Sequence, residues 1–241
     1  MFDSHAHLNF SDFSDNYKEI IEKCFKKNIS VINVGATLAG SKRSLEIANE
    51  YDKGVYSVVG VHPLHAEEGS EGIGDLAKEG KVIAIGEIGL DKEKKKTFKI
   101  QKKEFEKQLQ IATEMDLPVV VHSRKAHKEV VSILSKYSVK GVIHCFTGNM
   151  TDLKKYLDLG FYVGYNGIIF KLSLDKQIQK TPIDRLILET DCPYLAPPGW
   201  NSKNNPLGVL EVAKKVAEIK EIEVGKLEKE TDENVKNLFN I

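Results

Sequence analysis

Residues 2–8 of this 241-residue chain read Phe2-Asp3-Ser4-His5-Ala6-His7-Leu8. In an extended strand successive side chains point to opposite faces, so Asp3, His5 and His7 share one face. The other face is apolar apart from Ser4. The alternation predicts a strand whose apolar face packs against helices and whose polar face lines a site. A His-x-His pair also occurs by chance on half-buried strands, so residues elsewhere must decide between the two interpretations.

The rest of the chain alternates apolar strand segments with segments whose apolar residues recur at helical spacing. Seven further segments are typical of buried strands: residues 30–35, 55–63, 82–87, 119–122, 141–144, 161–164 and 185–191. Helical patterns lie between them, and two more, near residues 206–219 and 224–239, end the chain. The first strand lacks the Gly-x-Gly-x-x-Gly of a doubly wound nucleotide-binding sheet. The pattern predicts an α/β fold, a (β/α)8 TIM barrel with an additional C-terminal helix, as a single domain over residues 1–241.

The composition narrows the function classes. Lysine plus arginine equals aspartate plus glutamate at 35 each, so an anionic partner must be held by local charges. The three cysteines are widely spaced and form no Cys-x-x-Cys, which argues against a disulfide framework and a zinc ribbon. No apolar run approaches the roughly 18 residues of a membrane helix, and the N-terminus does not resemble a signal peptide. We therefore expect a cytoplasmic protein without membrane contact, for which a monomer is compatible with the sequence and the oligomeric state stays open.

Titratable residues stand at the ends of the predicted strands, where a barrel collects its active-site side chains. After His5 and His7 on the first strand, these residues are His62, Glu87, His122, His144 and Asp191. Any one of them alone could be a satisfied core residue, but their joint placement predicts a site. Imidazole and carboxylate ligands suit zinc, manganese, iron or nickel, and also magnesium with more oxygen or water. Without His62 the set still exceeds what one catalytic metal takes, so we expect two divalent ions about 3.5–4 Å apart that share a carboxylate.

Six blocks occur in order between residue 1 and about residue 210. They are Asp3-Ser4-His5-Ala6-His7-Leu8, Gly60-Val61-His62-Pro63, Gly86-Glu87-Ile88-Gly89-Leu90-Asp91, His122-Ser123-Arg124, His144-Cys145-Phe146-Thr147-Gly148 and Glu189-Thr190-Asp191-Cys192-Pro193-Tyr194-Leu195. Together they resemble the signature of the TatD-type metal-dependent deoxyribonucleases, within the amidohydrolase-like barrels. The resemblance implies two metal sites that share Glu87, one formed by His5, His7 and Asp191 and the other by His122 and His144.

The chain departs from the family pattern outside this ligand set. Lys92 stands where the family often has an aromatic residue, and Lys125 stands where it has an aspartate. Trp200 and Asn201 replace its usual arginine and glycine. These departures bear on substrate preference and leave the metal ligands unchanged.

The resemblance and the ligand set predict a divalent-metal-dependent deoxyribonuclease, with 3'-5' exonuclease action on single-stranded DNA as one form. Water between two divalent cations loses its proton near neutral pH and becomes a nucleophile. Asp191 would orient or deprotonate this water, or serve only as a ligand, while Glu87 bridges the metals. His62 would bind a phosphate oxygen or protonate the leaving group, or else have a structural role beside Pro63.

Residues next to the ligands carry further expectations. Arg124 would contact a phosphate or form a buried ion pair with Glu189 or another acid. Cys145 is expected to point away from the site and pack in the core. Asp3 is expected to orient a ligand histidine from behind, so that Asp3→Ala weakens metal binding less than His5→Ala does. A lysine-rich segment either attracts anionic backbone to the rim or forms a solvated face, and it comprises Lys92, Lys94, Lys95 and Lys96.

Two other functions fit parts of the sequence. An amidohydrolase-type enzyme could use the same dinuclear centre on a small amide, ester or lactone, and a substrate panel of lactones and bis(p-nitrophenyl) phosphate separates it from a nuclease. A barrel kept only as a scaffold would retain its cellular function after His122→Ala. The intact ligand set argues against the scaffold.

Overall fold

The computed structural model describes residues 1–241 and contains eight parallel strands in one sheet, ordered as in the sequence. The strands are β1 (Phe2–Ala6), β2 (Ser30–Val34), β3 (Val55–Val59), β4 (Val82–Asp91), β5 (Val119–Arg124), β6 (Gly141–Ile143), β7 (Tyr162–Tyr165) and β8 (Leu186–Leu188). A parallel bridge between Ala6 and Cys192 joins β1 to the segment after β8, and the Asp191 amide donates to the His5 carbonyl at 2.8 Å. These contacts close the sheet, so the predicted (β/α)8 TIM barrel is confirmed.

Helices surround the strands. They are α1 (Tyr17–Lys26), α2 (Leu38–Asn49), α3 (Ile73–Leu76), α4 (Phe98–Glu114), α5 (His127–Leu134), α6 (Met150–Asp158), α7 (Asp175–Lys180), α8 (Val209–Lys220) and α9 (Val224–Phe239). Six short 3-10 helices occupy connections, among them Pro63–Glu68 after β3 and Gly167–Phe170 after β7. None of the helices combines the length and apolar character needed to cross a membrane.

The core has two layers, because residues along each strand alternate between the barrel interior and the helices. Val120 belongs to an inner cluster of 12 buried residues, whereas Val119 and Val121 belong to an outer cluster of 49 that the helices cover. The predicted additional helix, α9, closes the amino-terminal end of the barrel. Its Phe239 joins the inner cluster, and its Asn234 side chain donates to the Leu186 carbonyl at 2.8 Å.

Some strand boundaries differ from the sequence-based prediction. β1 ends before His7 and β8 ends before Asp191, whereas β4 runs on to Asp91. The reason for the longer strand is that residues 88–91 of β4 pair with residues 121–124 of β5. The prediction that Glu87 and His122 end their strands is therefore wrong, since β4 continues past Glu87 to Asp91 and β5 continues past His122 to Arg124.

Gly89 marks the closest approach of β4 to β5. Its φ is +138°, a conformation that side chains rarely adopt, and a Cβ there would collide with the carbonyl oxygen of His122. The glycine therefore allows the β4 backbone two residues after Glu87 to lie directly against the backbone of His122.

We predict that Gly89→Ala lowers the free energy of unfolding by about 2 kcal/mol or more, because it adds both backbone strain and a collision. Urea unfolding followed by circular dichroism measures the change. Gly225→Ala is the matched control, since Gly225 lies in α9 with open space around its Cα. We expect that control to be neutral or to stabilise by up to about 1 kcal/mol, and equal losses in both variants would contradict the prediction.

Candidate metal centre

A cavity of about 600 Å³ opens at the carboxyl ends of the strands. Most of the residues that the sequence assigns to a site line it: His7, His62, Glu87, His122, Arg124, His144 and Asp191. His5 lies beneath them and is fully buried. The structure thus brings together side chains from β1, β4, β5 and from the segments after β3, β6 and β8.

The backbone aims these side chains in different ways. His122 lies two residues after the inward Val120 and therefore shares its face. Glu87 lies where the β4–β5 pairing shifts register, between Ile85 and Ile88, and such irregularities redirect a side chain. Asp191 has a left-handed φ of +57°, and its amide bonds to the His5 carbonyl.

One set of atoms faces Oε2 of Glu87. The Nε2 atoms of His5 and His7 are 3.2 Å apart and lie 3.5 and 3.8 Å from that oxygen. Asp191 Oδ1 is 3.5 Å from His7 Nε2 and 3.9 Å from His5 Nε2. Ligand atoms bound tetrahedrally to zinc lie about 3.4 Å from one another. The spacing and the donor types of these residues fit a metal ion.

A second set faces Oε1 of the same carboxylate. His122 Nδ1 is 2.9 Å from this oxygen, His144 Nε2 is 3.1 Å from it and His62 Nε2 is 3.4 Å from it. The two oxygens of Glu87 therefore face two separate groups of imidazoles, which is the arrangement that a shared carboxylate requires. The rings of His5 and His144 stack with centroids 3.9 Å apart, so the two groups adjoin.

The electrostatics keep the carboxylates ionised. Burial opposes ionisation of Glu87, but the charges and hydrogen bonds of the surrounding imidazoles hold its pKa well below the usual value. Burial opposes ionisation of Asp191 as well, and the hydrogen bond from His7 lowers its pKa. Burial and the charge on His144 lower the pKa of His5, which favours the neutral ring. Burial opposes protonation of His7, His122 and His144, but the neighbouring carboxylates raise the pKa of all three rings. These rings would therefore release their protons on binding a metal ion.

Groups behind the imidazoles fix the ring orientations. His7 Nδ1 lies 2.8 Å from the Val34 carbonyl, and His122 Nε2 lies 3.3 Å from Asp91 Oδ2. His144 Nδ1 lies 3.1 Å from Glu189 Oε1. The sequence alone predicts no such role for Asp91 or Glu189. A signal was present for Glu189, which precedes Asp191 by two residues and so shares its side of an extended segment.

His62 differs from His7 because the backbone group that its Nδ1 meets is an amide and not a carbonyl. Its Nδ1 accepts a hydrogen bond from the Leu64 amide at 3.1 Å, at the start of the 3-10 helix Pro63–Glu68. Burial lowers the pKa of His62, which favours the neutral ring. In that ring Nε2 carries the hydrogen and points toward Glu87, so His62 is a hydrogen-bond donor at the site.

Asp3 makes contacts other than those expected. Its carboxylate accepts from the Thr190 amide at 2.8 Å, from the Thr190 hydroxyl at 2.6 Å and from the His5 amide at 3.3 Å. No histidine ring is among these partners, so the expectation that Asp3 orients a ligand imidazole is wrong. Asp3 instead holds the backbone next to His5 and Asp191.

Two residues beside the ligands also differ from expectation. Cys145 lines the cavity, because its left-handed φ of +46° breaks the strand alternation that was expected to turn it away. Arg124 is exposed and forms no ion pair, so the alternative of a buried pair with Glu189 is wrong. The carboxylate of Glu189 is bound to His144 instead.

Carboxylates neutralise several lysines near the cavity. Lys92 pairs with Glu129 at 2.7 Å and Lys94 with Glu67 at 3.2 Å. Lys125, which lines the cavity, pairs with Glu93. Arg124 is therefore the cation of the cavity wall that has no acidic partner.

Comparison with known proteins identifies the family. The family model described as TatD related DNase matches residues 2–240. The chain belongs to this family. The metal-dependent hydrolase YabD of Bacillus subtilis is 37% identical over 254 residues, with 100% of this chain and 99% of YabD covered. The protein of Klebsiella pneumoniae named 3'-5' ssDNA/RNA exonuclease TatD is 34% identical, with 100% of this chain and 98% of its own length covered.

A solved structure agrees with this assignment. The TatD homolog YjjV of Escherichia coli K12 superposes with a TM-score of 0.91 at 26% identity, covering 100% of this chain and 98% of YjjV. The sequence-based resemblance to the TatD-type enzymes is thus confirmed. The chain is a metal-dependent hydrolase of the TatD family.

Within this TatD-family site, Glu189 lies near one imidazole of each group, His5 and His144. Its Oε1 accepts from the Cys145 amide at 2.7 Å and from the Asn166 side chain at 3.0 Å, in addition to its contact with His144. Its Oε2 is buried without a hydrogen-bond partner, and so is Nδ1 of His5. His5, His144 and Glu189 each place one ligand-type atom within 4.8 Å of the others. One carboxylate thus lies behind imidazoles of both groups.

We predict that Glu189→Gln keeps the fold but lowers divalent-metal affinity about 10-fold to 100-fold, because the amide retains one acceptor and loses the charge behind the imidazoles. Isothermal titration with Mn²⁺ measures the affinity. Glu189→Ala should also destabilise by about 2 kcal/mol or more, because it leaves buried donors without an acceptor. Wild-type metal affinity in Glu189→Gln would contradict a role in orienting the ligands.

Proposed function

We propose that this TatD-family hydrolase cleaves phosphodiester bonds of single-stranded DNA with two divalent ions, as a 3'-5' exonuclease. The observation that carries the proposal is the position of Glu87, whose two oxygens face two separate sets of imidazoles. The relative from Klebsiella pneumoniae, named a 3'-5' ssDNA/RNA exonuclease, supports the substrate class. The identity of the metal stays open among magnesium, manganese and zinc.

The candidate ligands divide between two ions. One would be held by His5, His7 and Asp191 and the other by His122 and His144, with Glu87 shared. Such ions would lower the pKa of a water molecule and neutralise charge on the phosphate. Asp191 has Oδ1 directed at the imidazoles and leaves Oδ2 without a protein hydrogen bond, so Oδ2 can orient a water and accept its proton.

His62 would act on the substrate as a donor. Its Nε2–H points into the site while its Nδ1 is bound to the backbone. A donor in this position can stabilise charge on a phosphate oxygen or give its proton to the leaving oxygen. Metal ligation by this nitrogen would require a different tautomer, which the Leu64 amide disfavours.

The first prediction of this proposal concerns the metal. Purified protein should bind about two divalent ions per chain, melt at a higher temperature when they are added and lose activity on end-labelled single-stranded DNA in excess chelator. Glu87→Gln should bind at most one ion and lose about 10³-fold or more in kcat. Glu46→Gln, at an exposed position on α2, serves as the control. Undiminished cleavage in excess chelator would contradict the proposal.

A panel of model substrates separates phosphodiesterase from amidohydrolase activity. We expect hydrolysis of bis(p-nitrophenyl) phosphate and of DNA, without comparable turnover of lactones. Turnover of a lactone alone would favour a small-molecule hydrolase with the same ligand set.

A second prediction concerns Arg124, the unpaired cation of the cavity wall. Arg124→Ala should raise the KM for single-stranded DNA about 10-fold and reduce the salt dependence of binding by roughly one phosphate contact. Lys125→Ala is the matched control, because its neighbouring side chain is already paired with Glu93. Equal effects of the two substitutions would show that Arg124 contributes only general charge.

A further inference from the structure

Two aromatic rings lie at the mouth of the cavity beside candidate metal ligands. The ring of Phe10 stacks on the imidazole of His7 with centroids 4.4 Å apart and planes 6° apart. Tyr194 meets Phe10 edge-on at 6.5 Å. Tyr194 is 56% exposed, more than any other large hydrophobic side chain of the protein, although it also lines the cavity. A half-exposed aromatic face beside an active site is available for a substrate.

The backbone ties both rings to the metal centre in the same way. The Phe10 amide donates to the carbonyl of His7 at 3.0 Å, and the Tyr194 amide donates to the carbonyl of Asp191 at 3.0 Å. Each aromatic residue thus follows a candidate ligand by three residues in a hydrogen-bonded turn. The side chain of Asn204 further donates to the Tyr194 carbonyl at 2.8 Å. The backbone that carries each ring is therefore fixed relative to the candidate metal ligands.

We propose that Phe10 and Tyr194 form a stacking site for the base of a nucleotide next to the scissile phosphate. The inference rests on the proposed function, because it takes the substrate to be a single-stranded nucleic acid. Stacking of a base on an aromatic side chain tolerates every base, since each has a π-face. The cavity wall supplies the complementary contact for the backbone through Arg124.

The stacking site gives a physical reason for a preference for single strands. A base in a duplex is paired and stacked on both neighbours, and bringing it onto a protein ring breaks those interactions. An unpaired base avoids most of that loss. The site should therefore favour unpaired ends while discriminating little between the four bases.

The test uses metal-loaded protein and end-labelled single-stranded oligonucleotides, either intact or with one tetrahydrofuran abasic residue at the terminal or the penultimate position. We expect wild-type protein to cleave the intact strand with a kcat/KM about 10-fold or more above that for one of the two abasic strands. Tyr194→Ala and Phe10→Ala should lower kcat/KM on intact DNA. The ratio of kcat/KM for the intact strand to kcat/KM for the abasic strand should then be close to one. Tyr194→Phe, which keeps the ring, should preserve the ratio.

Phe25→Ala is the control for loss of a partly exposed aromatic ring, because Phe25 packs on Tyr51 away from the cavity. It should leave the ratio at the wild-type value. Equal cleavage of intact and abasic strands by wild-type protein would overturn the stacking site, and so would an unchanged ratio in Tyr194→Ala. If wild-type protein cleaved no DNA at all, the proposed function itself would fail, and the stacking site would fall with it.

Discussion

The site depends on one ionised carboxylate kept inside the barrel. The Glu87 side chain is only 5% exposed, and an unpaired charge in such a place is strongly unfavourable. Burial opposes its ionisation, but the charges and hydrogen bonds of the surrounding imidazoles hold its pKa low. With Asp191 beside it, the cluster combines two ionised carboxylates with five imidazoles, and despite burial the carboxylates raise the pKa of His7, His122 and His144. Carboxylates and imidazoles together form a donor set that suits divalent cations, and their atoms here stand at ligand spacing.

The contacts around this carboxylate form successive shells. Glu189, Asp91 and the Val34 carbonyl hold the imidazoles, and Asp3 holds the backbone beside two of the ligands. At the opposite end of the barrel α9 packs its apolar face on the inner core. In such barrels the active site commonly lies at the carboxyl ends of the strands, and the residues at the amino ends contribute mainly to stability. The additional helix belongs to the stabilising end.

Sequence reasoning succeeded where the chemistry follows from strand position. The fold and the convergence of His5, Glu87, His122 and the other candidate ligands were predicted, because apolar runs interrupted by polar residues identify strands that end at a site. Cys145 was misplaced because its left-handed backbone has no signature in the residues around it. The lysine-rich segment remained ambiguous, because its ion pairs join residues distant in sequence.

The placement of the Phe10 and Tyr194 rings at the cavity could not be predicted from the sequence, for a different reason. In the sequence an aromatic residue predicts core packing equally well as an exposed ring, and burial alone separates the two. Their relation to the metal ligands depends on two turns that only the backbone reveals. The sequence therefore identifies candidate ligands by their residue type and position. It does not identify aromatic residues whose role depends on where the folded backbone places them.

The closure of the barrel has a consequence for how the protein assembles. The seam between the first strand and the segment after the last one is formed by the backbone of His5 and Asp191, and Asp3 and Thr190 reinforce it across 187 positions of sequence. Contacts between such distant parts of a chain are slow to form, because their loop closure carries a large entropic penalty. His5 and Asp191, whose backbones join the first strand to the segment after the last one, are also candidate metal ligands. The candidate site is therefore complete only when the ring of strands is closed, and a fragment that lacks His5 or Asp191 lacks one side of it.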